Sequence, residues 1–406
     1  MMNVAWARTL RWGTALGTAA MLAACGGGGG DASFQADGSL RVALTDAPSC
    51  GYDHVYVTVE KVRVHQSGTA ADAEGGWREI AVAPARRIDL LELNNGLLEE
   101  LGTVALPSGR YSQLRLVLSS NTATGTSSMA NAVQPTGGAL TALDTPSGQQ
   151  SGLKLQAHFD VAPGQMADLV LDFDACKSVV KAGNSGKYNL KPVISILPRV
   201  NTGIHGYVTT TLSLSSTTVA AQVNGATIRS TAPDSTGKFS IPYLSTGTYT
   251  LVVMSDGRAT AVVTGVPVGT GTTVVSGTAT AIAPPLSTMA DVTGAATLTS
   301  VSGGGTTTTA ITDATVQASQ ALTGGPAVVI ASQAIDPELG TYRFRLPVGA
   351  PVKAAFVSSG AALSFAADAA AAGKYTIRAE TPGRATQDKP ADISGGSVNV
   401  NFSYGP

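Results

Sequence analysis

In the stretch HVYVTVEKVRVH, residues 54–65, valine returns at alternate positions. Val55, Val57 and Val59 share one face of an extended chain, because successive side chains of a strand point to opposite sides. Val62 and Val64 then carry the pattern on the other parity. A change of parity with no turn residue predicts a β-bulge at Glu60-Lys61. The two-residue period recurs in Leu114, Leu116 and Leu118, in Leu153, Leu155, Ala157 and Phe159, and in Leu169, Leu171 and Phe173. Such alternation commits the chain to sheets with one buried face. One stretch, IDLLELNNGLLEELG at residues 88–102, reads as helical, and Asn95-Gly96 interrupts it.

The fold class expected is all-β: tandem immunoglobulin/transthyretin-like β-sandwiches after a leader. The chain of 406 residues is long enough for two or three domains. From about Asn201 charged residues thin out and Thr, Gly, Val and Ala dominate. An internal repeat appears there. TYTLVVMSDGRAT at Thr248–Thr260 parallels KYTIRAETPGRAT at Lys374–Thr386, with an insertion between Gly349 and Lys374. The expected segments are a signal peptide at 1–24, a Gly-rich tether at 25–38, a first β-sandwich at 39–200, a second at 201–284 and a divergent repeat of it at 285–406. Pro284-Pro285 marks the last joint.

A short frame ties these segments together. LPSGRY (Leu106–Tyr111) and LSTGTY (Leu244–Tyr249) share a Leu, two residues, a Gly, one residue and a Tyr. LPVGAP (Leu346–Pro351) keeps the Leu and Gly but has Pro351 where the Tyr stood. Gly supplies the backbone freedom of a reversal. The Tyr is expected to open the next strand with its hydroxyl near the turn backbone, as at a tyrosine corner.

The N-terminal residues resemble a bacterial lipoprotein signal. Arg8 and Arg11 precede an apolar run, Gly13–Leu22, that ends in Leu22-Ala23-Ala24-Cys25. The resemblance implies lipidation of Cys25, with Gly26–Gly30 as a flexible tether and membrane partnership through the anchor. An ordinary secretory signal with a chance Cys is the alternative. An outer-membrane destination is expected, because Gly26-Gly27 stands where inner-membrane retention would show Asp. Without the signal the chain carries 24 basic and 27 acidic residues, a net charge of −3, which argues against nucleic acid as a partner. Cys50 and Cys176 then form an even pair in an oxidising compartment, read as a disulfide. Two buried free thiols are the alternative.

Residues Leu40 to Arg199 resemble a domain family of unknown function, DUF4382, found in secreted bacterial lipoproteins. LTDAP, DHVYVTVEKVRVH, GGWREI, IDLLELNNG, LPSGRYSQLRLVL, SGLKL, LVLDFDACKSVV and YNLKPV carry that resemblance. It implies a β-sandwich and a cell-envelope address, and transfers no activity. The repeats from Gly203 resemble carboxypeptidase-regulatory-like domains with a transthyretin-like or carbohydrate-binding-like sandwich. Gly203-Ile204-His205-Gly206, Gly237-Lys238-Phe239 and Leu244–Tyr249 carry it, and the second unit departs from the pattern at Pro351.

Frames for catalysis are missing. The sequence has no G-x-S-x-G, no phosphate-binding loop motif and no H-E-x-x-H, and His54, His65, His158 and His205 lack metal-ligand spacing. An enzyme is not expected, and neither is a cofactor. The one candidate cation site is Asp168, Asp172 and Asp174, which alternate on one side of a strand near Asp160. Carboxylates two residues apart on a strand lie roughly 7 Å apart and could converge on a calcium ion. A solvated strand face is the alternative. Asp46 is expected to cap the LTDAP turn through its side chain. The function expected is that of a non-catalytic envelope lipoprotein, a β-sandwich array for ligand binding, adhesion or envelope structure, with a glycan or an envelope protein as partner. Glycan reading by the sandwich modules is the alternative, weakened by Trp77 being the one tryptophan after the signal.

Overall fold

Alternating valines build the centre of the first module. In the computed structural model, which describes residues 37–46, 51–121, 129–145, 151–183, 185–302, 305–357 and 359–405, this module begins with β1 (Gly38–Asp46), β2 (Tyr52–His65), β3 (Arg78–Asp89), β4 (Glu99–Leu106), β5 (Gly109–Leu118) and β6 (Ala132–Pro135). It continues through β7 (Thr141–Asp144), β8 (Leu153–Val161), β9 (Met166–Phe173), α1 (Ala175–Ser178), β10 (Val179–Ala182), β11 (Lys187–Leu190) and β12 (Ile194–Pro198). Val55, Val57, Val59, Val62 and Val64 are all buried. Pairing passes from Val59 to Lys61 against both β3 and β5, so Glu60 is left out of register as the bulge predicted there.

Two sheets share this core. One runs β12-β9-β1-β4, with β1 and β9 parallel. The other is eight-stranded, β10-β11-β7-β6-β2-β5-β8, with β3 also on β2. Leu40, Leu44, Leu114, Leu116, Leu171 and Phe173 fill the space between them. Each such side chain contributes about 1.5–3 kcal/mol on burial.

The helix expected at residues 88–102 does not form. Leu90–Glu92 makes one 3₁₀ turn, capped by the Asp89 side chain. Asn95 and Gly96 follow at φ 55° and 83°, left-handed values that end any right-handed helix. The second half is β4, antiparallel to β1. A sheet edge with ladder hydrogen bonds on offer outcompetes a short interrupted helix, which is marginal in water.

The repeat seen in the sequence is also a repeat of topology. The second module holds β13 (Gly203–Tyr207), β14 (Thr217–Val223), β15 (Ala226–Thr231), β16 (Lys238–Pro242), β17 (Gly247–Ser255), β18 (Ala261–Val268) and β19 (Thr272–Val274). The third holds β20 (Met289–Ser302), β21 (Gly305–Ala310), β22 (Thr315–Ala321), β23 (Ala327–Ala334), β24 (Thr341–Pro347), β25 (Val352–Ala355), β26 (Ala366–Ala367), β27 (Lys374–Glu380), β28 (Gln387–Asp392), β29 (Val398–Asn399) and β30 (Phe402–Tyr404). The order β15-β14-β17-β18 in one corresponds to β23-β22-β27-β28 in the other. Opposite these, β13 pairs antiparallel with β16 and parallel with β19, as β20 does with β24 and with β29 and β30. One glycine recurs at this position. A Cβ on Gly206 would come within 2.7 Å of the Phe239 ring, and one on Gly294 within 2.7 Å of the Tyr342 ring.

Each repeat has its own core, around Phe239, Ile241 and Leu251 in one and Phe344, Ile377 and Phe402 in the other. The joint at Pro284-Pro285 nevertheless does not separate them cleanly. The insertion between Gly349 and Lys374 leaves the third module, and its β25 joins the open edge of β18 in parallel, followed by β26. Val352, Phe356, Leu363 and Phe365 pack into the core of the second module. The segment assigned by sequence to the third sandwich thus completes the second. Residues 36–406 form one compact unit.

Candidate functional site

The modules meet around β9, where the acidic residues of the sequence reading sit. The side chains of Leu169, Leu171 and Phe173 face the first core, as the alternation predicts. The opposite face is not solvated: Val170 and Asp172 are buried as well. Its cover is the second module. Arg229 of β15 reaches Asp172 with both prongs, Nε to Oδ2 and Nη2 to Oδ1, each at 3.1 Å. The remaining Nη1 donates to the carbonyl of Pro242 at 2.8 Å. Arg229 and Asp172 are 4% and 8% exposed, so this is a desolvated pair. Burial pushes the Asp172 carboxyl above its ordinary range, against the opposing pull of Arg229.

The three aspartates do not converge. Asp168 is bound by Arg41 of the neighbouring strand β1, Nε to Oδ1 at 3.0 Å. Asp172 belongs to Arg229. Asp174 has left the strand; it caps α1 by accepting the amide of Lys177 at 3.0 Å and pairs with the Lys177 ammonium at 2.6 Å. The structure therefore does not bring the expected calcium ligands together as one donor set, because each carboxylate already has its own cation. Among the described residues no three His, Cys, Asp or Glu are grouped to hold a metal ion.

Other residues singled out by sequence find local partners. His54 Nδ1 meets Asp89 Oδ2, and the His54 ring stacks on Tyr56. His65 Nε2 lies 2.9 Å from the carbonyl of Gly75. Asp46 accepts the amide of Ala175 at 2.9 Å and so supports the start of α1; residues 47–50 of its turn lie outside the described residues. Cys176 lies in α1. Cys25, Cys50, the signal segment and most of the tether also lie outside the described residues.

Sequence reasoning missed the residues that join the modules. The Asn95-Gly96 turn of the first module docks on β15 and β16: the Asn95 amide donates to Thr231 Oγ1 and its Oδ1 accepts from Ser240, each at 3.0 Å. Gln222 of β14, 1% exposed, holds the third module. Its carboxamide donates to the carbonyl of Val329 at 2.8 Å and accepts the Val329 amide at 2.9 Å, as a neighbouring strand would. Val252 and Val262 of the second module pack beside it on Leu322 and Val328 of the third. One signal was available. Arg229 is a lone charge in ATIRST and Gln222 the one long polar side chain in TTVAAQV, within strands otherwise made of small or apolar residues.

A cavity of about 430 Å³ opens at the triple junction. Cys176 and Lys177 of the first module, Thr218, Thr227, Ser230 and Met254 of the second, and Gln317, Ile330 and Ser332 of the third line it. The lining offers hydroxyl and amide groups and the Asp174–Lys177 ion pair over a floor of small apolar side chains.

Residues 37–192 match the family described as Domain of unknown function (DUF4382). The DUF4382 segment runs from the start of β1 to just short of β12, so the last strand of its first sheet lies beyond the match. No curated protein matches the sequence. Among solved structures, the Bacillus anthracis TIE protein is 12% identical at a TM-score of 0.16, covering 91% of this chain and 50% of its own. The chain thus spans half the length of that protein. The Corynebacterium diphtheriae major pilin SpaA is 13% identical at a TM-score of 0.18, with 91% of this chain and 100% of its own covered. The pilus adhesin SpaC from Lactobacillus rhamnosus GG is 11% identical at 0.15, with 91% and 43% covered. At such scores these likenesses carry no argument about function. Among the described residues no helix is long and apolar enough to cross a membrane.

Proposed function

We propose that this protein is a non-catalytic lipoprotein of the cell envelope. Its DUF4382 sandwich and two repeats would act as one rigid body, tethered through Cys25 to the outer membrane and used in adhesion, ligand binding or envelope structure. The observation that carries this reading is the buried Arg229–Asp172 pair across the first joint. Desolvating a cation and a carboxylate is expensive and is sustained only where geometry is fixed. A joint built in this way transmits position and load, whereas flexible linkers would serve independent modules. A Cys50–Cys176 disulfide fits the same address.

Glycan reading is the second proposal, and the junction cavity favours it through its ring of Thr218, Thr227, Ser230, Gln317 and Ser332. A glycan array probed with the full chain separates the two: binding lost on Thr227→Val with Ser332→Ala supports the glycan reading.

The anchored, structural reading is tested by expressing the full chain with its leader in a diderm host. Fractionation should place it with the outer membrane, with Cys25→Ser releasing it. Cells carrying the anchored form should differ from Cys25→Ser cells in adherence or envelope integrity. Equal behaviour in both respects would overturn the proposal.

A further inference from the structure

Strand edges are where a β protein meets other chains, and several open edges here are guarded. Free edges expose unpaired N–H and C=O groups, and charge, proline, bulges or cover protect them. Glu99 and Glu100 stand on β4, Lys238 and Pro242 on β16, and Asp388, Lys389 and Pro390 on β28. On β23 the register skips Ile330, and Gln222 occupies the outward groups of Val329.

The β21 strand has none of these. It closes its sheet at one end and, among the described residues, pairs only with β20. The pairing runs without a register shift from Thr297↔Ala310 to Ser302↔Gly305. Every residue of Gly305–Ala310 is exposed. No charged residue and no proline occurs between Val292 and Thr312. A regular, uncharged and uncovered edge of this kind is a template for a further strand.

We propose that β21 is a self-association edge, pairing antiparallel with β21 of a second copy of this chain across a two-fold axis. The sequence of the strand selects that occupant. Thr306, Thr307, Thr308 and Thr309 read the same in both directions. An antiparallel pair centred on Thr308 sets Thr308 against its own copy and Thr307 against Thr309, and cross-strand Thr pairs are favourable. A two-fold interface requires one patch to complement itself, which this run does. A strand from a different protein would be chosen by side-chain pockets or by charge, and β21 offers neither. Joining two copies through β21 makes their five-stranded sheets continuous across the axis.

The interface is small, so association is weak. The test is sedimentation velocity of the full chain carrying Cys25→Ser, from about 10 μM to about 1 mM, the range suited to an interface below about 1,000 Å². The expected result is a sedimentation coefficient that rises with concentration. Thr307→Lys with Thr309→Lys should abolish the rise while leaving the circular dichroism spectrum unchanged, since both side chains are exposed. Thr308→Pro, which removes a ladder donor, should act alike. A chain that stays monomeric throughout overturns the proposal. So does association that persists in the lysine variant, which would assign it to another surface.

Discussion

The hydroxyl of Tyr375 donates to the carbonyl of Pro347 at 2.6 Å, across 28 residues of chain. The same bond occurs twice over a short span: Tyr111 to Pro107 at 3.0 Å and Tyr249 to Ser245 at 2.8 Å. In each case the acceptor immediately follows a buried leucine, Leu106, Leu244 or Leu346. The frame apparently lost at Pro351 is therefore intact in space. Tyr375 fills the position, and the intervening residues leave as a loop that lends β25 to the neighbouring module. The second repeat is divergent in sequence spacing and conserved in its corner.

Replacing Tyr375 with Phe should destabilise the chain by about 1–3 kcal/mol, the cost of leaving a buried carbonyl without its donor. Tyr249→Phe and Tyr111→Phe should cost less, because Ser245 is exposed and Pro107 is half-buried, so water can reach the freed carbonyls. Urea denaturation measures all three. A Tyr375→Phe curve that overlays the parent would show that the corner does not stabilise the third module.

Arg229→Ala should cost about 3–5 kcal/mol by stranding a buried carboxylate. The double change Arg229→Met with Asp172→Leu should recover most of that loss, because it removes both charges. Chemical denaturation of the two singles and the double gives the coupling. If the double is no better than Arg229→Ala, the packing of the Arg229 stem matters more than the charge it neutralises.

The acid limb of stability carries a specific sign for Asp172. Burial raises its folded pKa above the unfolded value, so the folded state holds the proton more tightly. Its contribution is fully present below the unfolded value, near 4, and is lost as pH rises through the raised folded value. The stability of the parent minus that of Asp172→Asn should therefore grow as pH falls from 7 towards about 4. Isothermal denaturation at a series of pH values reads this difference directly. A difference that shrinks on acidification contradicts the argument.

Gln222→Met keeps the volume of the side chain and removes its amide. The Val329 amide and carbonyl then lose their partner, at about 1–3 kcal/mol for each buried group. Hydrogen exchange at Val329 should accelerate, with strands of the first module unaffected. Unchanged protection there would show that the clamp has no role in joining the repeats.

A fragment of residues 201–283 should be much less stable than the same fragment carrying residues 350–368, because β25 and the side chains of Val352, Phe356, Leu363 and Phe365 complete its sheet and core. Thermal unfolding followed by circular dichroism compares them. Equal midpoints would restore the joint at Pro284-Pro285 as a true domain boundary.

What the sequence determined by itself was local and periodic. Alternating valines and leucines identified β2, β5, β8 and β9, the bulge at Glu60, the repeat and its aromatic corners, because the period of a strand depends on chirality and on which neighbours along the chain are apolar. Tertiary structure decided the rest. Asp168, Asp172 and Asp174 look alike on paper, yet their partners, Arg41, Arg229 and Lys177, come from three different elements. The leucines around Asn95-Gly96 became a turn and a strand because β1 offered an edge. The loop after Gly349 joined β18 rather than its own module for the same reason. Edges and buried charges are satisfied by groups far away in sequence, and no local pattern encodes which distant group arrives.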